Sequence, residues 1–183
     1  MAMNDPFADL VEQLETTRVS LHAAVAAVAP ELRQRRPAPD AWSVAEVLEH
    51  LAIIERRITQ LITGFIAKAR QSGLVEPNVP ASIVQTISMA AFSDRSRKVV
   101  TPDKGLPTGA LAADVAWQEL ETSRRELLGM LADAKSVDLS AMQHPHFIFG
   151  PLNGYQWLAF VVGHEVRHTD QIREIALLLS RCV

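Results

Sequence analysis

His164, Glu165 and His168 spell H-E-V-R-H. On a helix this spacing puts two imidazoles one turn apart on one face, where both can reach a single metal ion. Taken alone the pattern advertises a zinc protease with Glu165 as general base, a chemistry that needs a third protein ligand. The downstream acid Glu174 stands too close on the same helix to return as that ligand, and no Gly or His follows in the register of the longer metzincin pattern. The protease reading is therefore set aside, and the third ligand is sought upstream.

His50 supplies it. It lies among Val47, Leu51 and Ile54 at helical spacing, which aims its ring at the interior. His164 and His168 share a stripe with Trp157, Val161, Gln171 or Ile172, and Ile175, so they face inward too. Three neutral imidazoles from two helices, with a fourth position left to water, form an open metal site of the kind that suits catalysis better than a closed structural one. A lone inward histidine is more often a hydrogen-bonded core residue; three on converging stripes favour ligation. Glu165 and His168 also spell E-x-x-H, as in di-iron bundles. Neither Glu46 nor Glu49 stands three before His50, so a dinuclear carboxylate site is not expected.

The elements that must hold these residues are helices, since four long stretches carry helical periodicity and little alternates like a strand. The first runs from about Asp5 to Val28, with Phe7, Leu10, Leu14, Leu21, Val25 and Val28 on one face. Pro30 and the Pro37-Ala38-Pro39 stretch stop it. Ser43 and Glu46 form an S-x-x-E capping box for the second helix, which continues to about Ala69 through Val44, Val47, Leu51, Ile54, Ile58, Leu61 and Phe65, with Trp42 as a staple before the cap. The third covers Ala110 to Ala134, with Leu111, Val115, Leu120, Leu127, Leu128 and Leu131. The fourth starts from an Asn153 cap, with Gln156 in the third position, and reaches about Arg181.

Between the second and third helices lies a connection from Ser72 to Gly109 with Pro77, Pro80, Pro102 and Pro107, and a short helix is expected over 81–92. Long connections in compact domains tend to be functional or crossover segments. The expected fold is all-α: one domain over 1–183, a four-helix bundle with a long crossover between helices 2 and 3 and two short links elsewhere. Gln143 to Asn153, dense in turn-formers and aromatics, is expected to fold over one end of the bundle.

Composition excludes several classes. The chain of 183 residues is 48% hydrophobic and 21% charged with a formal net charge of -3, and its basic residues are scattered, so no nucleic-acid partner is expected. The local cluster Arg33, Arg35 and Arg36 reads as a solvated loop. A single cysteine, Cys182, excludes an internal disulfide and a cysteine-rich metal site. Asp5 and Asp9 stand where a signal peptide carries positive charge, and no apolar run approaches a membrane span. The expectation is a cytoplasmic protein with no membrane partner.

W-S-V-A-E-V-L-E-H-L (Trp42 to Leu51), H-P-H-F-I-F-G-P-L-N-G-Y-Q-W-L (His144 to Leu158) and H-E-V-R-H-T-D-Q-I (His164 to Ile172) resemble, in this order, the DinB/YfiT-like superfamily. The likeness runs from about Phe7 to Leu179. It implies a four-helix bundle with a long crossover, and a divalent metal held by His50, His164 and His168, nickel or zinc first and iron or manganese next. Characterised relatives include thiol S-transferases and isomerases that use a low-molecular-weight thiol such as bacillithiol or mycothiol, so a thiol co-substrate, a small-molecule substrate and a homodimer are implied as well. His144 matches the family's H-P position, where a local structural role is favoured over ligation. Glu165 points away from His164 and reads as an exposed or inter-helix salt bridge; Glu46 reads as a helix cap, with orientation of His50 as the alternative. The functional expectation is a metal-dependent enzyme of the thiol S-transferase or hydrolase type. The competing class is a non-catalytic bundle, a binding or stress-associated module with a structural metal or none.

Overall fold

The computed structural model describes residues 5–73, 76–88, 90–91, 95 and 100–181. Four helices dominate: α1 (Pro6–Ala26), α2 (Val44–Gln71), α3 (Ala113–Ala134) and α4 (Gly154–Ser180). Their ends follow from local chemistry. Asp5 caps α1 by accepting from the Phe7 N–H. Ser43 with Glu46 and Asn153 with Gln156 close full capping boxes at α2 and α4, so each satisfies two otherwise orphaned donors. Both histidine-bearing helices therefore start at a fixed residue.

Cross-helix pairs define the direction of each helix. On α2 and α3, Arg56 meets Glu119 and Glu126, while Arg70 meets Asp133, so these two helices run parallel. On α1 and α4, Phe7 meets Tyr155 and Arg18 meets Glu165, again parallel. Val44, Val47 and Leu48 at the start of α2 share an apolar cluster with Ile172, Ile175 and Leu179 late in α4, whereas Ile62 and Ile66 share one with Leu158 and Phe160 at its start, so α2 and α4 are antiparallel. The topology is up-down-down-up. Parallel α2 and α3 force the chain to travel back the full length of α2, about 40 Å at about 1.5 Å per residue, and this is the physical reason for the long crossover.

The core splits into two apolar clusters. One gathers Phe7, Leu10, Leu14, Ile62, Leu127 and Leu158; the other gathers Leu21, Val47, Leu48, Leu51, Leu120 and Ile172. Between them lies a layer of buried charge. Arg124 donates to both carboxylate oxygens of Glu55, to Glu165 at 3.0 Å and to the Leu14 carbonyl at 2.6 Å, and Arg18 reaches Glu165 at 2.7 Å. Arg124 and Arg18 thus balance the buried carboxylates of Glu55 and Glu165, and Arg18 at the edge of the layer also reaches the exposed Glu121 at 2.8 Å.

Several expectations need correction. The links at 27–43 and 135–153 are not short: the first contains a 3-10 turn at Pro30–Leu32, and the second a 3-10 turn at Leu139–Ala141 and a β-hairpin. The hairpin pairs β1 (His144–His146) with β2 (Gly150–Leu152), and Gly150 at φ +72° takes the left-handed conformation its return requires. Turn-formers and aromatics announced a loop there, but three-residue strands are too short to show an alternating pattern. Of the helix expected over 81–92, the described residues show a 3-10 turn at Val84–Thr86 and helical backbone at Ala90 and Ala91; 89 and 92 lie outside them. Cys182 also lies outside them. On α3, Val115 faces solvent and Ala116 is buried in its place. Toward the end of α2, Ile62 and Ile66 replace Leu61 and Phe65 as the fully buried residues, because a straight helix drifts round relative to a fixed seven-residue repeat. Among the described residues no helix is long and apolar enough to cross a membrane.

A candidate metal centre

Early in α2 and midway along α4, three rings converge. The Nε2 atoms of His50 and His168 each lie 3.1 Å from Nε2 of His164, and one nitrogen from each ring lies within 4.8 Å of the others. His50 and His168 are buried, whereas His164 is partly exposed at the floor of an open cleft of about 1920 Å³. Trp42 covers the cluster from the side, its ring 4.9 Å from that of His50 and stacked over His168 at 6.3 Å. Phe160 stacks on His164 at 5.0 Å.

The far side of each outer ring shows what the near side carries. His50 Nδ1 lies 2.6 Å from the Gly105 carbonyl, and His168 Nδ1 lies 2.7 Å from Gln171 Oε1. Both acceptors demand a proton on Nδ1, which leaves a bare lone pair on each Nε2 when the rings are neutral. Neutral is the state that burial enforces. Loss of solvation pushes His50 down to about 4, and pushes His164 and His168 well below the ordinary imidazole value, with the neighbouring rings adding to the effect. His164 Nε2 carries at most one proton, so it can satisfy only one of its two neighbours. At least one contact of 3.1 Å then sets two lone pairs against each other, and a cation among the three nitrogens removes that conflict. The separations also suit ligation at about 2.0–2.1 Å from one ion.

The crossover is pinned where it supplies the Gly105 carbonyl. Glu49 accepts from the Thr108 N–H at 2.9 Å, the Thr108 hydroxyl at 2.7 Å and the Gly109 N–H at 3.2 Å. A Cβ on Gly105 would come within 3.1 Å of Ile54 Cδ1 and Thr101 Cγ2, so this close approach favours glycine. Successive residues of α2, Glu49 and His50, thus fasten the same loop. Orienting contacts of this kind typically matter about 10–100-fold in metal affinity. Glu49→Ala is therefore expected to weaken zinc binding by about that factor while leaving one zinc per chain, measured by competition with a chromophoric chelator.

The other residues singled out by sequence fall into place around this cluster. Glu165 is buried, not exposed, and accepts from Thr17, Arg18 and Arg124 on neighbouring helices. It belongs to the charge layer, so its carboxylate is committed. Glu46 closes the capping box and pairs with Arg36; the contact that orients His50 comes instead from Gly105. The arginine cluster is thus not merely solvated, because Arg33 also donates to the Val28 carbonyl at 2.9 Å. His144 is exposed, and its carbonyl accepts from Trp157 Nε1 at 3.3 Å, a local structural role. His22 is exposed beside Trp117.

Sequence reasoning missed the supporting residues unevenly. Gln171 stands three after His168, one turn along the same face, so its role was readable. Glu55 and Arg124 sit at core positions of their helices, another visible signal. Gly105 and Thr108 act through backbone groups on a distant loop and leave no trace in local spacing.

Comparison with known proteins fits this architecture. Residues 13–172 match the family model described as the DinB superfamily. The chain belongs to the DinB superfamily. A relative within reach of this DinB protein is the uncharacterized protein YuaE of Bacillus subtilis (strain 168), 26% identical over 152 residues, which covers 82% of this chain and 87% of YuaE. A solved structure, "Crystal structure of TT2238, a four-helix bundle protein", superposes with a TM-score of 0.61 at 19% identity, covering 91% of this chain and 98% of that one. It shares the DinB protein's fold.

The depressed imidazole values carry a pH prediction. A histidine neutral in the fold but able to protonate near 6.5 when unfolded makes the unfolded chain bind more protons at acid pH, so stability falls as pH drops below about 6.5 toward 4. For His50, displaced to about 4, the loss is on the order of 3 kcal/mol at the acid end. Urea unfolding of metal-free protein between pH 7.5 and 4.5 should show this slope, and His50→Phe should make it shallower by the share of one ring, since His146, His164 and His168 keep theirs.

Proposed function

We propose that this protein is a metal-dependent enzyme of the thiol S-transferase or hydrolase type, with His50, His164 and His168 as ligands to a divalent ion, nickel or zinc first. The observation that carries the reading is the trio of converging Nε2 atoms, two of them left bare by the Gly105 and Gln171 contacts behind their rings. A divalent ion there would supply Lewis acidity, bringing a thiol or water to its nucleophilic form near neutral pH. The chain's own residues do the rest. Three neutral rings leave the ion's charge uncancelled, Trp42 and Phe160 exclude water from two sides, and partly exposed His164 faces the cleft. The cleft is open to solvent beside the three rings, which gives an electrophilic small molecule and a low-molecular-weight thiol a way to the ion.

Glu165 decides between this reading and a protease-like one. General-base catalysis contributes roughly 10²–10⁴ in rate, and a carboxylate committed to Arg18, Arg124 and Thr17 is not free to supply it. With zinc- or nickel-loaded protein, a small thiol and a chromogenic aryl electrophile such as 1-chloro-2,4-dinitrobenzene, whose dinitrophenyl group passes to the thiol sulfur as chloride leaves, Glu165→Gln should keep most of the turnover per folded molecule. His50→Ala should lose metal and turnover together. A fully metallated Glu165→Gln protein that folds but is inactive would return Glu165 to the chemistry.

A further inference from the structure

The hairpin brings two more histidines to the cleft wall, His144 and His146, and the hydrogen bonds of His146 fix which of its nitrogens carries the proton. His146 ends β1 and is only 7% exposed. Its Nδ1 faces the N–H groups of Ile148 at 3.2 Å and Phe149 at 3.3 Å, both donors, so Nδ1 is an acceptor and the proton of the neutral ring sits on Nε2. No described residue accepts from that Nε2, although the ring is enclosed by Phe149, Trp157 and Phe160. Among the described residues the buried side-chain polar atoms that lack a partner are Arg18 Nη2 and Tyr155 Oη, so the His146 Nε2–H is open to solvent, where a bound acceptor can take the place of water. The ring lines the same cleft as the metal-centre histidines. Phe160 lies between: its ring is 4.9 Å from His146 and 5.0 Å from His164, which keeps His146 within about one small molecule's length of the centre.

We propose that His146 is a substrate-positioning residue: a neutral Nε2–H donor, held in one tautomer by the hairpin turn, that receives an acceptor oxygen (carbonyl or carboxylate) of the molecule bound at the three-histidine centre. Burial keeps the ring neutral across the physiological range by pushing it down to about 4. A neutral donor can hold a carbonyl without competing for the ion, and no proton need move. This assignment rests on the metal-enzyme reading above and deepens it, since it requires an oxygen acceptor on the substrate a few ångströms from its metal-seeking atom.

Two conservative replacements separate the two ends of the ring. Asparagine places an acceptor near the Nδ1 position and deletes the distal donor; glutamine places a donor near the Nε2 position and deletes the hairpin acceptor. The probe is 3-mercaptopropionate added to cobalt-loaded protein, followed by the sulfur-to-cobalt charge-transfer band, with ethanethiol as the probe lacking an acceptor oxygen. A hydrogen bond to a charged group is worth about 10- to 100-fold in affinity. His146→Asn should weaken 3-mercaptopropionate by at least about tenfold, His146→Gln should bind within about threefold of wild type, and ethanethiol should bind all three alike. A purely structural role predicts the reverse order, because only glutamine strips the hairpin of its acceptor; that order, or equal binding throughout, overturns the proposal. A second measurement needs no metal. Nitrogen-15 NMR of histidine-labelled, metal-free protein at pH 7 should show His146 as the Nε2–H tautomer, and an Nδ1–H ring would overturn the assignment while leaving the three-histidine reading intact. If wild type takes up no cobalt, the metal reading fails and this inference with it.

Discussion

Saturating zinc is expected to raise the melting temperature of the wild-type chain by about 10 °C at neutral pH and to leave His168→Ala where it started. An ion that binds only the folded state adds RT ln(1 + [L]/Kd), about 4 kcal/mol at a thousandfold excess over Kd, and a chain of this length gains about 2–4 °C per kcal/mol. No proton has to leave first. The buried rings are already neutral in the fold, His50 down to about 4, so acid between pH 7 and 5.5 should weaken the metal effect far less than for exposed histidines. Thermal melts with and without zinc, run on wild type, His168→Ala and His144→Ala, separate the cases. Equal shifts in wild type and His168→Ala would place the ion elsewhere on the chain.

Arg124→Ala is expected to cost about 3–5 kcal/mol, because it leaves Glu55 and Glu165 buried side by side with only Arg18 to balance them. That is a large part of the roughly 5–15 kcal/mol by which a domain is stable. The neighbouring surface pair offers a control. Arg56 joins Glu119 and Glu126 between the same two helices but in reach of solvent, so Arg56→Ala should cost about 1 kcal/mol or less. Urea denaturation of the two variants measures the difference. An Arg124→Ala protein as stable as Arg56→Ala would mean that water already reaches the layer between the two apolar clusters.

The helices and the three imidazoles were legible because each signal was local and periodic. Capping boxes at Ser43 and Asn153 set the starts of α2 and α4, and apolar spacing then fixed which way His50, His164 and His168 pointed. Periodicity faltered where a residue answers to a neighbour from far along the chain. Glu165 read as an exposed or inter-helix salt bridge, and it is the second, with Arg18 and Arg124 arriving from two other helices; its burial is what spacing alone did not show. The Gly105 carbonyl reaches His50 only because the crossover returns over α2, and a backbone acceptor has no sequence signature. Trp42 illustrates a half-reading: its place before the cap was visible, but its tilted contact with His50 and its stacking on His168 exist only with the fourth helix alongside. His146 was lost for a similar reason, since its function as an acceptor for its own turn exists only once the hairpin closes.

The central claim is that His50, His164 and His168 hold one divalent ion with a coordination position to spare. Zinc K-edge absorption spectroscopy on protein loaded at one equivalent tests it most directly. The expected result is three imidazole nitrogens at about 2.0–2.1 Å and at least one further light-atom ligand, with a sulfur scatterer replacing that ligand when 3-mercaptopropionate is added. Zinc that stays bound with an unchanged shell in the His50→Ala, His164→Ala, His168→Ala triple variant, or a wild-type shell that admits no added thiol, would contradict it.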